Sequence, residues 1–265
     1  MTNIIKADLY KMFRMSSLYI SFIICTISSL TIAYVLYGIP KGDFDIEMST
    51  NVSLLVDIML VSLLGGILIG GIISNDFESK NVHSEIACGK GRFSIIISKL
   101  AAMSIGTAVI TLPYALTAII GFGLDINFSH LVGIPSQFFD VMTNVCGVEK
   151  DGSGIGKVIF ICILIIFMYI ARLSICIPVA FKFKKNIPVI IVGFLSAFVF
   201  DIITPAVKDI PGVSDFFEFL PYSMITKCTL DADGGEIAKI LISGIVFIAV
   251  MIAITYALFK KDEIK

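Results

Sequence analysis

The sequence predicts an all-α integral membrane protein with six spanning helices, and three observations support this prediction. The chain of 265 residues is 57% hydrophobic and only 15% charged, whereas soluble domains contain roughly 25% charged residues. Its mean hydropathy is +0.97. Six segments approach or exceed the roughly 20 apolar residues that a helix needs to cross a bilayer; they lie near 16–37, 52–74, 100–122, 157–180, 187–206 and 237–259.

Lysine and arginine residues predict which side of the membrane each loop occupies, because short cytoplasmic loops are enriched in them. One set of loops and termini contains thirteen of these residues and the other set contains six. We therefore expect both termini to lie in the cytoplasm. The first apolar run is longer than the 7–15 residues of a signal-peptide core, so we interpret it as a retained helix.

Residues 1–15 are predicted to form an amphipathic helix at the membrane interface. Apolar side chains recur on one face of this helix, and charged side chains lie largely on the others. The apolar face is predicted to contain Ile5, Leu9, Met12 and Phe13. This helix either contacts a cytoplasmic partner or simply anchors the terminus.

The whole chain, 1–265, is predicted to form one transmembrane domain with connecting segments of unequal length. Residues 75–99 form the predicted cytoplasmic loop after the second span. The predicted extracellular segments, 123–156 and 207–236, are long and contain stretches rich in Phe and Met. We expect each of them to form short helices that lie at, or dip into, the outer leaflet.

Small residues recur every four positions along the second predicted span. They are Ser62, Gly66, Gly70 and Ser74. Small residues at this spacing allow two helices to approach closely in lipid. The spacing favours tight packing within one subunit, and contact between subunits is the alternative.

The sequence contains no motif for nucleotide hydrolysis or for metal binding. The fragment Gly89-Lys90-Gly91 lacks the spacing and the hydroxyl group of a phosphate-binding loop. The two histidines, His83 and His130, do not form a metal-binding spacing. We therefore predict that the chain is not an enzyme, has no catalytic or metal-ligating residues and binds no cofactor itself.

Three charged residues lie inside predicted spans, where charge is costly and often functional. Asp57 and Asp201 fall in the predicted outer half, and we expect them to face a cargo path or its outer mouth. Arg172 lies deeper and is expected to extend toward the cytoplasm. The alternative for each residue is a polar group satisfied by backbone or by interfacial water.

The predicted extracellular side contains thirteen acidic residues and six lysines. Such a surface would concentrate cationic cargo, although acidic outer loops also follow from the placement of lysine and arginine on the inside. This side also contains Cys146 and Cys228, and a disulfide between them is an open alternative.

The loop after the second span has a distinctive residue spacing. Its motif consists of Asp76-Phe77-Glu78, Gly89, Gly91-Arg92-Phe93 and Ser98-Lys99. Together with six spans and an amphipathic N-terminal arm, this loop resembles that of the permease subunits of ABC type-2 exporters. In that family the loop contributes to the surface that receives the ATPase. The resemblance thus implies a role in ATPase coupling for Asp76, Phe77, Glu78, Gly89, Arg92 and Lys99.

The resemblance also implies a dimeric pore in a bacterial plasma membrane. The second permease is either another copy or a related chain, and ATP and Mg²⁺ bind to separate ATP-binding-cassette subunits. Spans one and five would lie at the subunit interface, and residues 214–225 would form a re-entrant element. Size and loop character are similar to those of small permeases that protect Gram-positive bacteria from lantibiotics. The expected cargo is amphipathic or hydrophobic, for example an antimicrobial peptide, and no nucleic-acid partner is expected.

Two other classes of function remain open. An ion-driven secondary transporter would use Asp57 and Asp201 and would need no ATPase. A membrane sensor or assembly partner would transport nothing. An intramembrane enzyme ranks last because no catalytic set of residues is present.

Overall fold

The computed structural model describes residues 2–41, 56–124, 136–143, 152–206, 210 and 213–261. Within these ranges the chain is helical and contains no strand. The α-helices are α1 (Thr2–Phe13), α2 (Ser16–Gly38), α3 (Asp57–Ile69), α4 (Asn75–Glu78), α5 (Asn81–Ala87), α6 (Arg92–Gly123), α7 (Gln137–Thr143), α8 (Gly152–Leu173), α9 (Cys176–Phe183), α10 (Asn186–Ala206), α11 (Val213–Phe219), α12 (Pro221–Met224) and α13 (Gly234–Lys261). A π-helix, Gly70–Ser74, joins α3 to α4, and short 3₁₀ turns, Ile39–Lys41 and Ile225–Lys227, follow α2 and α12.

Six helical stretches of the described chain are long and apolar enough to cross a membrane, as the sequence predicted. They are Ser16–Gly38, Asp57–Glu78, Arg92–Gly123, Gly154–Phe183, Asn186–Thr204 and Gly234–Lys260. The second and third extend well into the predicted 75–99 loop, leaving only residues 79–91 between them. A span predicted from hydropathy ends at the first charged residues, whereas the helix itself continues past these residues. The side of the membrane that each end faces stays a prediction.

The second span lies at the centre of the helix bundle. In its most apolar window 83% of the residues are buried, against 18% and 17% for the fifth and sixth spans. Its small residues make this position possible, because they allow the backbone of α10 to approach. A Cβ atom on Gly66 would lie 3.2 Å from Ile190 Cα, and one on Gly193 would lie 3.2 Å from Gly66 Cα.

The remaining members of the small-residue row also lie inside the chain's own packing. A Cβ atom on Gly70 would lie 3.4 Å from Asn186 Oδ1, again on α10. The Ser62 hydroxyl donates to the Ile58 carbonyl at 2.6 Å, and Ser74 is fully buried. All four predicted packing residues therefore contribute to packing within one subunit.

A π-helix interrupts the second span at Gly70–Ser74, which the sequence pattern did not predict. The wider turn changes the direction in which later side chains point, relative to a continuous α-helix. Directly after it, Asn75 Oδ1 accepts a hydrogen bond from Asn186 Nδ2 at 2.9 Å, and Asp76 is buried. The π-helix thus precedes the residues that connect the span to the loop.

Helix α1 packs against α6 with a face that overlaps the predicted one at Met12 and Leu9 but is rotated away from Phe13. Its buried residues are Ile4, Asp8 and Met12, whereas Phe13 is 44% exposed. The predicted apolar face is therefore wrong for Phe13. The reason is electrostatic: Asp8 forms an ion pair with a buried lysine of α6, and this contact turns the Ile4–Asp8–Met12 row inward.

We expect Gly66→Leu to destabilise the protein, because the added side chain would force α3 and α10 apart. Overpacking of this kind costs about 1–3 kcal/mol. The unfolding temperature in detergent should fall by about 5 °C. Gly123→Leu is the matched control, since a Cβ at Gly123 has no neighbour within 4 Å. Equal unfolding temperatures for the two variants would contradict the proposed close contact.

Candidate functional site

A network of four charged side chains, three of which are buried, joins the N-terminal helix, the second span and the third span. Lys99 Nζ donates to Asp8 Oδ1 at 2.6 Å and also to Asp76 Oδ2. Lys11 donates to the other oxygen of Asp76. The exposed fraction is 0% for Lys99, 2% for Asp76 and 5% for Asp8. One ammonium group therefore connects α1 to α4 through α6.

The network is stable only as a set, because a buried charge without a partner is costly. Asn81 Nδ2 adds a hydrogen bond to Asp76 Oδ1 at 3.3 Å. Partial burial, together with the nearby Lys99 ammonium, lowers the pKa of Lys11. The charge of Asp8 is therefore compensated by Lys99, and that of Asp76 by both Lys99 and Lys11.

A cavity of about 240 Å³ lies beside the network, between α1 and the loop helices. Its lining residues are Ala7, Asp8, Lys11, Asp76, Asn81, Ser84 and Glu85. Asp8 Oδ2 and Glu85 Oε2 are buried and accept no hydrogen bond from the described residues. Burial raises the pKa of Glu85, and the nearby Lys99 opposes this effect.

The other end of the loop is attached to the last helix of the chain. Arg92 Nη1 donates to the backbone carbonyls of Phe259 at 2.5 Å and of Lys260 at 2.7 Å. A cation in this position complements the carbonyl end of a helix. Phe77 packs edge-on against Phe181 and Phe259, with ring centroids 5.2 and 6.2 Å away.

The structure divides the six predicted coupling residues into two groups. Asp76, Phe77 and Lys99 are buried, and Arg92 is partly buried against α13. Glu78 and Gly89 are exposed, and Gly89 adopts a φ of +77° that favours glycine. Of the six residues, only Glu78 and Gly89 are therefore exposed on the surface.

Asp57 is fully buried and does not face an open mouth. Its Oδ2 accepts hydrogen bonds from the backbone N–H groups of Gln137 at 3.2 Å and Phe138 at 3.3 Å, and from the Tyr169 hydroxyl at 2.9 Å. The Phe138 ring stacks between Tyr114 and Tyr169 at centroid distances of 6.2 and 6.0 Å. The prediction that Asp57 faces an open outer mouth is therefore wrong, because α7 folds over it, and its place beside a cargo path stays a prediction.

Asp201, the other predicted cargo-path residue, lies in α10. Its side chain lies outside the described part of the chain.

Arg172 is also buried rather than extended toward the membrane edge. Only 3% of the residue is exposed, and its guanidinium carbon lies 4.8 Å from the centre of the Tyr222 ring. The Tyr222 hydroxyl donates to the Arg172 carbonyl at 3.1 Å. Arg172 therefore contacts Tyr222, from the segment between spans five and six, instead of reaching the membrane interface as expected.

That segment packs among the spanning helices rather than beyond their ends. Tyr222 stacks on Phe200 of α10 at 4.2 Å and contacts Phe247 of α13 edge-on at 6.1 Å. Ser243 of α13 donates a hydrogen bond to the Phe219 carbonyl. Cys228 nearby is a buried free thiol, whereas Cys146 lies outside the described residues.

Four residues of these sites were not predicted from the sequence: Asp8, Lys11, Glu85 and Tyr222. The charged residues occur among many lysines and acids near the membrane edge, and spacing alone does not pair them. The Asp8–Lys99 pair spans 91 positions. Among the described residues, no group of three or more His, Cys, Asp or Glu side chains is arranged to hold a metal ion.

No protein-family model matches the chain, and no curated protein matches it either. The resemblance to ABC type-2 permeases therefore stays a prediction, based on the spacing of the loop residues and on the six spans.

We expect Lys99→Met to destabilise the protein strongly, because it leaves Asp8 and Asp76 buried without their shared cation. Removing one partner of a buried ion pair costs about 3–5 kcal/mol. The unfolding temperature in detergent should fall by on the order of 10 °C. The control is Lys227→Met in the exposed Lys227–Glu218 pair, 3.3 Å long, which should cost less than about 1 kcal/mol. Similar losses in both variants would contradict the role of burial.

Asp140, on α7, should make stability depend on pH. Burial, and then the nearby Asp57 carboxylate, raises the pKa of Asp140 to about 7. The folded protein therefore holds this proton more tightly than the unfolded chain, whose pKa is about 3.9. Stability contributed by the protonated group should be lost as pH rises from about 4 through 7.

Thermal unfolding at pH 5 and pH 8 tests this dependence. Asp140→Asn should remove part of the loss of stability at pH 8, whereas Asp215→Asn, at an exposed acid, should behave like the wild type. An unchanged pH dependence in Asp140→Asn would show that Asp140 does not contribute.

Proposed function

We propose that this chain is the permease subunit of an ATP-driven ABC exporter in a bacterial plasma membrane. Its cargo is amphipathic or hydrophobic, for example an antimicrobial peptide that is removed from the membrane. The observation that best supports this proposal is the Asp8–Lys99–Asp76 network. It joins α1 to the ends of spans two and three on both sides of residues 79–91, so a force on the loop would act directly on these helices.

The division of the loop into buried and exposed residues supports a coupling role. Glu78 and Gly89 lie on the surface, while Phe77 and Arg92 hold the loop against α9 and α13. A loop held on both sides can transmit movement, whereas a loose loop would absorb it. Because the sequence has no phosphate-binding motif, we assign ATP and Mg²⁺ to a separate ATPase subunit.

The segment 213–227 supports a re-entrant element of the kind that the resemblance implies. Phe200 lies six residues before Ala206, the last residue of α10, or about 9 Å from that end of the helix at 1.5 Å per residue. Tyr222 stacks on this phenylalanine and contacts Arg172. The segment therefore reaches the interior of the helix bundle from its connections at the ends of spans five and six.

The apolar outer surfaces of the bundle agree with a second permease and surrounding lipid. In the first and fifth spans only 39% and 18% of the most apolar window is buried. The same spans would form the subunit interface in the proposed dimer, with another copy or a related chain. Asp57 Oδ2 accepts three hydrogen bonds, but its buried Oδ1 accepts none from the described residues, so this site does not decide against the ion-driven alternative.

Purification in mild detergent from the native host tests the proposal. The tagged chain should retain a stoichiometric ATP-binding-cassette subunit, identified by mass spectrometry, and the same experiment would show whether a second permease is present. A chain that is reproducibly free of any ATPase would contradict the proposal and favour transport driven by an ion gradient.

We expect Glu78→Lys to uncouple ATP hydrolysis from export, because it reverses a charge on the exposed part of the loop. Transport in reconstituted vesicles should fall at least tenfold while ATP hydrolysis continues and the unfolding temperature stays unchanged. Glu236→Lys, which reverses an exposed acid at the start of α13, is the control. Normal coupled transport by Glu78→Lys would contradict the docking assignment. Arg92→Glu is a poorer test, because Arg92 also holds the end of α13.

A further inference from the structure

The cavity between α1 and the loop helices contains carboxylate oxygens that lack a partner. Asp8 is 95% buried, since only 5% of it is exposed, yet its Oδ2 accepts no hydrogen bond from the described residues. Glu85 Oε2, on the loop side of the same cavity, is also buried and accepts no hydrogen bond from the described residues. Buried acceptors normally have a donor, so these two oxygens indicate a site for a donor group.

The charges around the cavity favour a cation with a single positive charge. Three carboxylates, of Asp8, Asp76 and Glu85, face two ammonium groups, of Lys11 and Lys99. With all five ionised, one negative charge remains uncompensated. Lys80 and Lys90 of the same loop are exposed and do not line the cavity.

The size and lining of the cavity favour a side chain over a bare ion. Its volume is about 240 Å³, which is several times the roughly 30 Å³ that a water molecule occupies in the liquid. Ala7 provides an apolar part of the wall for an aliphatic stem. Lysine and arginine combine such a stem with a terminal group that has several donors. The half-exposed Lys11 side chain lies at the edge, so the cavity is accessible from outside the bundle.

We propose that this cavity receives a lysine or arginine side chain of the cytoplasmic ATPase subunit. The inference rests on the proposed function, and it adds a second contact beside the exposed Glu78 surface. A basic side chain in this position would contact α1 and α5 together. The N-terminal helix thereby becomes part of the receiving surface rather than only a membrane anchor.

The test uses the full-length chain co-expressed with its ATPase and purified in mild detergent. Glu85→Gln keeps the shape of the side chain and removes its charge, and it should lower the recovered ATPase by about tenfold. Glu85→Lys should lower it further. The matched controls Glu236→Gln and Glu236→Lys should retain wild-type amounts. Unfolding temperatures of the Glu85 variants should match the wild type, because Glu85 forms no ion pair of the buried network.

Charge-reversal substitutions in the ATPase identify the side chain that occupies the cavity. Each lysine and arginine of the ATPase is changed to Glu and combined with Glu85→Lys, and one combination should restore recovery of the complex. Wild-type recovery with both Glu85 variants, or no restoring combination, would overturn this inference and leave the proposed function intact. A wild-type chain that retains no ATPase would overturn both.

Discussion

The ammonium group of Lys99 holds the N-terminal part of the structure together. It is fully buried and shared by Asp8 and Asp76, so separating α1 from the spans would break the buried Asp8–Lys99 ion pair, which is costly. This single contact fixes the rotation of α1, the position of the loop and the shape of the adjoining cavity. The cavity beside the network depends on that arrangement, since Asp8 and Asp76 form part of its wall.

A second constraint acts through the backbone of the central span. Gly66 and Gly193 bring α3 and α10 into direct contact, and the π-helix that follows sets the direction of the residues leading into the loop. Packing in the membrane and charge pairing at its edge are therefore linked along one continuous helix. A change of angle between α3 and α10 would therefore alter the position of Asp76, which precedes the start of α10 by 110 residues in the sequence.

Composition and hydropathy were sufficient to predict the six spans, because length and apolar content are local properties of a helix. The small-residue row was similarly informative, since close approach needs only the absence of side chains. The partners of charged and aromatic residues were not predictable in this way. Asp57 is covered by α7, Arg172 by Tyr222 and Asp8 by Lys99, and each pair is separated by at least fifty positions. Periodicity predicts which face of a helix is buried, but it does not predict which residues of other helices pack against that face.

The two attachments of the loop differ in when the growing chain can form them. The network of Asp8, Asp76 and Lys99 needs only the first 99 residues, whereas the contact of Arg92 with the carbonyls of Phe259 and Lys260 needs nearly the whole chain. During synthesis the N-terminal part of a protein is available to fold first. The loop would therefore close on α1 early, and its second attachment would form only after α13 has been synthesised and has packed beside α6.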